Sequence, residues 1–133
     1  MPVKTIDVVA ALIERNGELL LARRDASSDQ AGLWEFPGGK VEAGESQQAA
    51  LVRELQEEMG ITATVEEFVA TSQLQQPQRL IRLHGWRVSS FSGVIRLQCH
   101  SEIRWVSPAD VMSFELAPAD IPLIDQYLKR FSG

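Results

Sequence analysis

The chain has 133 residues, 44% of them hydrophobic, and a formal net charge of −5. That length suits one domain over 1–133 with a real core, and the acidic balance argues against a nucleic-acid polymer as partner, which takes a basic stripe. No apolar run is long enough to span a membrane, the start at Met1-Pro2-Val3-Lys4-Thr5 lacks the features of a secretory signal, and the single cysteine, Cys99, fits a reducing cytoplasm.

In chain order, residues 6–13 read as a buried strand, and Asn16-Gly17 is a hairpin signal leading into a second strand over 19–22. Residues 34–36 form a short strand ended by Pro37-Gly38-Gly39. Ser46 is placed as a helix N-cap and Gly60 as the residue just past its C-terminus. Between them Leu51, Val52, Leu55 and Met59 recur at helical spacing and predict one apolar stripe. Residues 64–74 and 80–88 are β-rich runs around a polar turn at 75–78, and 94–97 and 103–106 read as two further short strands. Ser107-Pro108 opens a short helix with Ser as its cap, and 121–131 reads as the last helix. Helices mixed with hairpins imply an α/β or α+β sandwich of sheet and helices.

The helix over 47–59 carries the chemistry. Glu54, Glu57 and Glu58 lie at i, i+3 and i+4 and share one face, expected roughly opposite the apolar stripe. A solvated acidic face is the ordinary reading of such a cluster. Two features speak against it. The acids occupy the C-terminal half, where the macrodipole disfavours negative charge by roughly 0.3–1 kcal/mol per group, and no basic residue follows within a turn. A hard divalent cation turns that repulsion into binding, because Mg²⁺ takes carboxylate oxygens and shares substrate phosphates. Ahead of the helix, Gly38 and Gly39 allow close backbone approach to a ligand, and Lys40 offers a point charge for phosphate.

Gly39, five residues, Glu45, seven residues, then Arg53-Glu54-Leu55-Gln56-Glu57-Glu58-Met59-Gly60-Ile61 make up a complete Nudix box over 39–61. The likeness extends to Gly32-Leu33-Trp34-Glu35-Phe36-Pro37 and to Leu116-Ala117-Pro118-Ala119-Asp120-Ile121-Pro122-Leu123. The chain resembles the MutT-type Nudix hydrolases, and within them the CTP pyrophosphohydrolase branch, which acts on pyrimidine and damaged nucleoside triphosphates. That resemblance implies an α/β/α sandwich with a mixed sheet and the box as loop–helix–loop. It implies attack of water on a phosphorus of the triphosphate, releasing a nucleoside monophosphate and pyrophosphate. By position Glu54, Glu57 and Glu58, with the carbonyl of Gly38, match the ligands of Mg²⁺, for which Mn²⁺ can substitute. Glu54, Glu57 and Arg53 are the implied catalytic group, with Glu54 as ligand or as the base orienting water. Arg53 and Glu45 match the ion pair that holds the box together, and Gly60 closes it. Arg24, Phe36, Gly38, Gly39, Lys40 and Asp120 are the implied substrate contacts.

Several positions carry two readings. Relatives usually have a glutamate six residues before the tryptophan matching Trp105; here that place is Cys99, a poor magnesium ligand, read as a small buried or half-buried filler. Either Glu102 reaches in instead or the box acids suffice. His84 and His100 lack metal-ligand spacing and read as surface or packing residues, and Trp34 as core. Phe36 is core or base-pocket wall. Of Arg23 and Arg24, neighbours on a strand, one faces the site and the other solvent. Asp120 caps the last helix or reads the base; an ionised carboxylate there accepts only, which favours the N4 amine of cytosine over the oxygen of uracil. Three functions compete: a pyrophosphohydrolase of CTP, dCTP, 5-methyl-dCTP or damaged nucleotides, an 8-oxo-dGTP-sanitising enzyme, and a catalytically silent nucleotide-binding module, as monomer or homodimer in the cytoplasm.

Overall fold

The apolar run of residues 9–13 becomes the centre of the molecule. The computed structural model describes residues 3–26 and 30–131; Met1 and Pro2, part of the N-terminal reading above, lie outside the described residues. The run sits in strand β1 (Lys4–Arg15), and Val9, Ala10, Ala11, Leu12 and Ile13 are all buried. Strand neighbours point to opposite faces, so β1 feeds two cores at once. Val9, Ala11 and Ile13 pack with Leu51, Leu55 and Met59 of helix α1 (Gln47–Met59). On the other face Ala10 and Leu12 pack with Leu123, Ile124 and Tyr127 of helix α2 (Ile121–Arg130). This is the expected α/β/α sandwich.

The remaining strands are β2 (Glu18–Arg24), β3 (Trp34–Glu35), β4 (Gly38–Lys40), β5 (Thr62–Gln76), β6 (Arg79–Ser92) and β7 (His100–Val106). The sheet runs β3-β2-β1-β6-β5, with β4 added to β1 and β7 to β2. It is mixed: β1 and β6 are parallel, the other pairs antiparallel. At the β1–β2 hairpin Asn16 and Gly17 have φ of 53° and 79°, as a two-residue type I′ turn requires. The hairpin pairs only Glu14 with Leu19 and Arg15 with Glu18. Beyond that the two strands part. The segment 34–40 crosses the opening, lending β3 to β2 and β4 to β1.

Helix α1 is bounded as expected. Ser46 accepts a hydrogen bond from the Ala49 amide at 3.1 Å, and Gly60, at φ 70°, donates to the Gln56 carbonyl. Four sequence expectations need correction. Residues 38–40 are a strand, not the loop that ends one. Residues 94–97 are not a strand: the Arg96 amide donates to the Met59 carbonyl at the end of α1, and Val94 and Leu97 are exposed. The stripe of α1 is completed by Ala50, with Val52 only half-buried. Ser107 makes no side-chain cap bond to the 3-10 helix Pro108–Ser113. None of the described helices is long and apolar enough to cross a membrane.

Because Ser46 satisfies one of the orphan amides at the start of α1, Ser46→Ala is expected to lower the free energy of unfolding by about 1 kcal/mol, and Ser46→Asn to lower it far less. Urea denaturation of the three proteins measures both.

Candidate active site

The phase of α1 decides where its acids point. Leu51 and Leu55 are fully buried, and Glu54 and Glu58 each follow one of them by three residues. The two acids therefore flank the buried stripe instead of opposing it. The Glu54 side chain is only 15% exposed, whereas that of Glu57 is 59% exposed. The expected solvent-facing triad is thus two inward acids with a third at the rim.

The inward acids meet bare backbone. A Cβ on Gly39 would fall 2.3 Å from the carboxyl carbon of Glu54, and one on Gly38 would fall 1.8 Å from the Val9 carbonyl oxygen. A side chain at Gly38 would collide with backbone, and one at Gly39 would displace the Glu54 carboxyl group. Arg53 locks the arrangement. Its Nε and Nη2 donate to the two Glu45 oxygens at 2.7 and 2.9 Å, Nη1 to Glu54 at 3.0 Å and Glu57 at 3.4 Å, and Nη2 also to the Lys40 carbonyl at 3.0 Å. The expected Arg53–Glu45 pair is present. Arg53, and next the Glu42 amide, hold the Glu45 carboxyl down to about 2. Glu58 is shifted the other way: burial, then the nearby Glu54 charge, push it up to about 7, and its buried Oε2 has no hydrogen-bond partner among the described residues.

Glu58, Gly38 and Gly39 line a cavity of about 260 Å³. Val8, Leu83 and Phe36 supply its apolar wall. Arg24, Glu35, His100, Asp120 and the exposed Cys99 also line it. Phe36 combines both of its readings, packing in the α2-side core and lining the cavity. Trp34 is core, edge-to-face with Phe114 at 5.3 Å.

Glu35 and His100 are the residues that sequence reasoning missed. Glu35 accepts from Arg24 Nη1 at 2.7 Å and bonds His100 Nε2 at 2.9 Å. Burial alone would raise Glu35, but the bonds from His100 and Arg24 outweigh it and hold its carboxyl below the usual range. The available signal was a single acid between two aromatics on a strand, whose alternation turns it away from them. His100 is buried, and its Nδ1 has no partner among the described residues. His84 is buried as well, bonded to Thr71 and Asp7 at 2.8 Å each, so neither histidine is a surface residue.

Asp120 is buried and makes no side-chain cap bond to α2, so the cap reading fails. Its Oδ1 accepts from the Phe36 amide at 3.4 Å. Burial, and next the Glu35 charge, raise its pKa well above the ordinary value and so favour the protonated acid. A protonated Asp120 donates as well as accepts, unlike the acceptor-only carboxylate expected from sequence. Arg24 faces the site, while Arg23 is turned to the Gly32 carbonyl and to Glu102. Glu102 also pairs with Arg104 at 2.9 Å and does not reach in. Cys99 is exposed, not a buried filler, because residues 94–98 leave the sheet and deliver it to the cavity mouth. Lys40 lies outside this cavity and lines a neighbouring depression.

The NUDIX domain family matches residues 3–127. The chain is 55% identical over 125 residues to the CTP pyrophosphohydrolase of Escherichia coli (strain K12), covering 94% of this chain and 93% of that one. It is 34% identical over 128 residues to the 8-oxo-dGTP diphosphatase of the same organism, covering 96% and 98%. The solution structure of the E. coli ORF135 protein matches with a TM-score of 0.88 at 54% identity, covering 96% of this chain and 93% of that one. The chain belongs to the Nudix family, among its MutT-type hydrolases.

Proposed function

We propose that the chain hydrolyses a nucleoside triphosphate to the monophosphate and pyrophosphate, with CTP, dCTP, 5-methyl-dCTP or a damaged nucleotide as substrate. One observation carries the reading: a single cavity joins Glu58 and the glycines of the box to an apolar wall and to the buried Asp120 carboxyl. The box side suits polyphosphate with a cation, the apolar wall a base. The 55% identity to a CTP pyrophosphohydrolase supports the choice of base.

The donor set fits a divalent cation. Glu58 has a buried oxygen without a partner among the described residues, near the Glu54 charge and in the same cavity as Gly38 and Gly39. Such a set of hard oxygens suits Mg²⁺, or Mn²⁺ in its place, which keeps waters and takes carboxylates together with substrate phosphates. When bound, the cation neutralises phosphate charge and lowers the pKa of the attacking water. Glu54, Glu57, Glu58 and the Gly38 carbonyl would hold it, with Glu54 as ligand or as the base that would orient that water. Arg53 positions Glu54 and Glu57. Arg24, aimed by Glu35, contacts phosphate or base. Cys99 adds no hard oxygen, so the box acids act without the usual extra glutamate.

Asp120 reads the base. Its Oδ1 accepts from the Phe36 amide, which leaves the proton to Oδ2 and sets a donor beside an acceptor. That pair complements the N3 acceptor and N4 amine of cytosine.

Glu54→Gln and Glu57→Gln are each expected to lower kcat by at least about 10²-fold with the melting temperature retained; near-normal turnover in either removes that residue from the catalytic group. Hydrolysis is expected to vanish in EDTA and return with Mg²⁺ or Mn²⁺, and a phosphate-release assay that stays active in chelator rejects the cation. A panel of CTP, UTP, 5-methyl-dCTP, 8-oxo-dGTP and 2-hydroxy-dATP tests the base. Asp120→Asn keeps a donor and an acceptor and should preserve the ranking, whereas Asp120→Leu should cut kcat/KM for CTP by at least about tenfold. An unchanged ranking and rate in Asp120→Leu would take base reading away from this residue.

A further inference from the structure

Resting on the triphosphate reading above, we propose that His100 accepts, at its Nδ1 atom, a hydrogen bond from a hydroxyl group of the substrate's sugar, and so sets which nucleotide sugar is preferred. The His100 side chain is only 4% exposed and lines the cavity. Its Nε2 bonds Glu35 Oε2 at 2.9 Å, while its buried Nδ1 has no partner among the described residues. Glu35 also accepts from Arg24 at 2.7 Å and so faces the ring as an acceptor. Nε2 therefore carries the hydrogen, and Nδ1 of the neutral ring is left with a lone pair. An acceptor unmet in a buried site is costly. What it lacks is a donor.

A bulge in β7 turns the ring toward the cavity. Arg23 lies opposite Glu102, but Arg24 lies opposite His100, so β7 spends an extra residue, Ser101, at this step. In a regular ladder Ser101 would share the face of Arg24, and His100 would point to the other side. The extra residue reverses that. Glu35 lies opposite Ala22, two residues before Arg24 on β2, so it emerges on the same face as well. Arg24, Glu35 and His100 are thereby gathered on one side of the sheet, and Ser101 is left exposed.

His100 is tied to both parts of the site. Glu35 bonds it, and the next residue, Phe36, donates its amide to Asp120, so His100 and the base-reading carboxyl are held from adjacent residues of one segment. In the other direction the Arg96 amide donates to the Met59 carbonyl at 2.9 Å, which docks the segment leading to His100 against the helix end that carries Glu58. After burial and the Glu54 charge, His100 is the next influence on Glu58. The part of a nucleotide that lies between its base and its phosphates is the sugar. The other candidates fit the lone pair poorly. Phosphate oxygens only accept, and Mg²⁺ prefers hard oxygen to imidazole. The donors of the sugar are its 2′ and 3′ hydroxyls.

Initial rates with CTP, 2′-deoxy-CTP and 3′-deoxy-CTP test the contact. In the wild type the analogue without the contacted hydroxyl is expected to lose at least about tenfold in kcat/KM, because Nδ1 is then left unpaired. His100→Phe keeps a flat ring without an acceptor and should bring that analogue within about twofold of CTP; His100→Leu gives the same comparison where the phenyl ring does not fit. His100→Gln, whose amide can donate to Glu35 and accept at its oxygen, should keep most of the preference. Each preference is a ratio within one protein, so a shared loss of turnover or stability cancels. A preference that survives His100→Phe and His100→Leu unchanged overturns the proposal, as does a uniform loss on all three substrates, which signals only a packing role. The functional reading fails separately. If the wild-type protein cleaves none of the three, that reading falls and takes this contact with it, while equal turnover of all three removes the contact alone.

Discussion

Arg53 is the contact on which the rest of the site depends. Its guanidinium donates to both Glu45 oxygens, to Glu54, to Glu57 and to the Lys40 carbonyl. Only a planar fork with five donors can serve that many acceptors at once, and a lysine in its place has neither the geometry nor the number. The consequence is mechanical. The loop before α1 and strand β4 are bound to the same group that steadies two of the helix acids, so Gly39 and Glu54 stay pressed together. The consequence is also electrostatic. Three carboxylates in the last turns of a helix oppose its dipole, no basic residue lies in the last turn, and Arg53 supplies the compensating charge from one turn earlier.

One small cavity sets its carboxyl groups in different states by environment alone. Two donors hold Glu35 below the usual carboxylate range, burial and the Glu35 charge raise Asp120, and burial and the Glu54 charge push Glu58 up to about 7. Groups pushed apart in this way can take separate roles at one pH. An ionised Glu35 orients Arg24; a neutral Asp120 can donate as well as accept; a Glu58 near neutrality gives up its proton readily to a cation. Among the described residues, Glu58 Oε2 and His100 Nδ1 are buried side-chain atoms without partners, and both belong to residues lining this cavity. An unmet polar atom is costly in a finished core and more easily understood where a ligand completes the set.

What could be read from sequence was what the chain encodes locally. Asn16-Gly17, Ser46 and Gly60 each specify a backbone conformation by their own chemistry, and the turn, the cap and the helix end fall where expected. The box spacing identified Glu54, Glu58, Glu45 and Arg53 for the same reason: they lie on one helix and the loop feeding it. Glu35 and His100 stayed invisible because their meaning comes from strand pairing across 65 residues. The burial of Asp120 stayed invisible because burial is a property of the assembled cavity. Residues 94–97 have a strand-like composition, yet the end of α1 takes the amide of Arg96 before any strand can.

The position of the cavity follows from a topological necessity. β1 and β2 leave their hairpin paired over two residues each and then diverge, which would strand unpaired backbone on both. Segment 34–40 meets both needs, β3 completing β2 and β4 completing β1, with Phe36 and Pro37 bridging the fork. A segment that must switch partners in so few residues cannot fill the fork with side chains everywhere, least of all where Gly38 meets the Val9 carbonyl. The opening left behind is bordered by the edge that α1 approaches and by the one that α2 closes with Asp120. Acids from one layer and the Asp120 carboxyl from the other can meet there because the sheet between them divides.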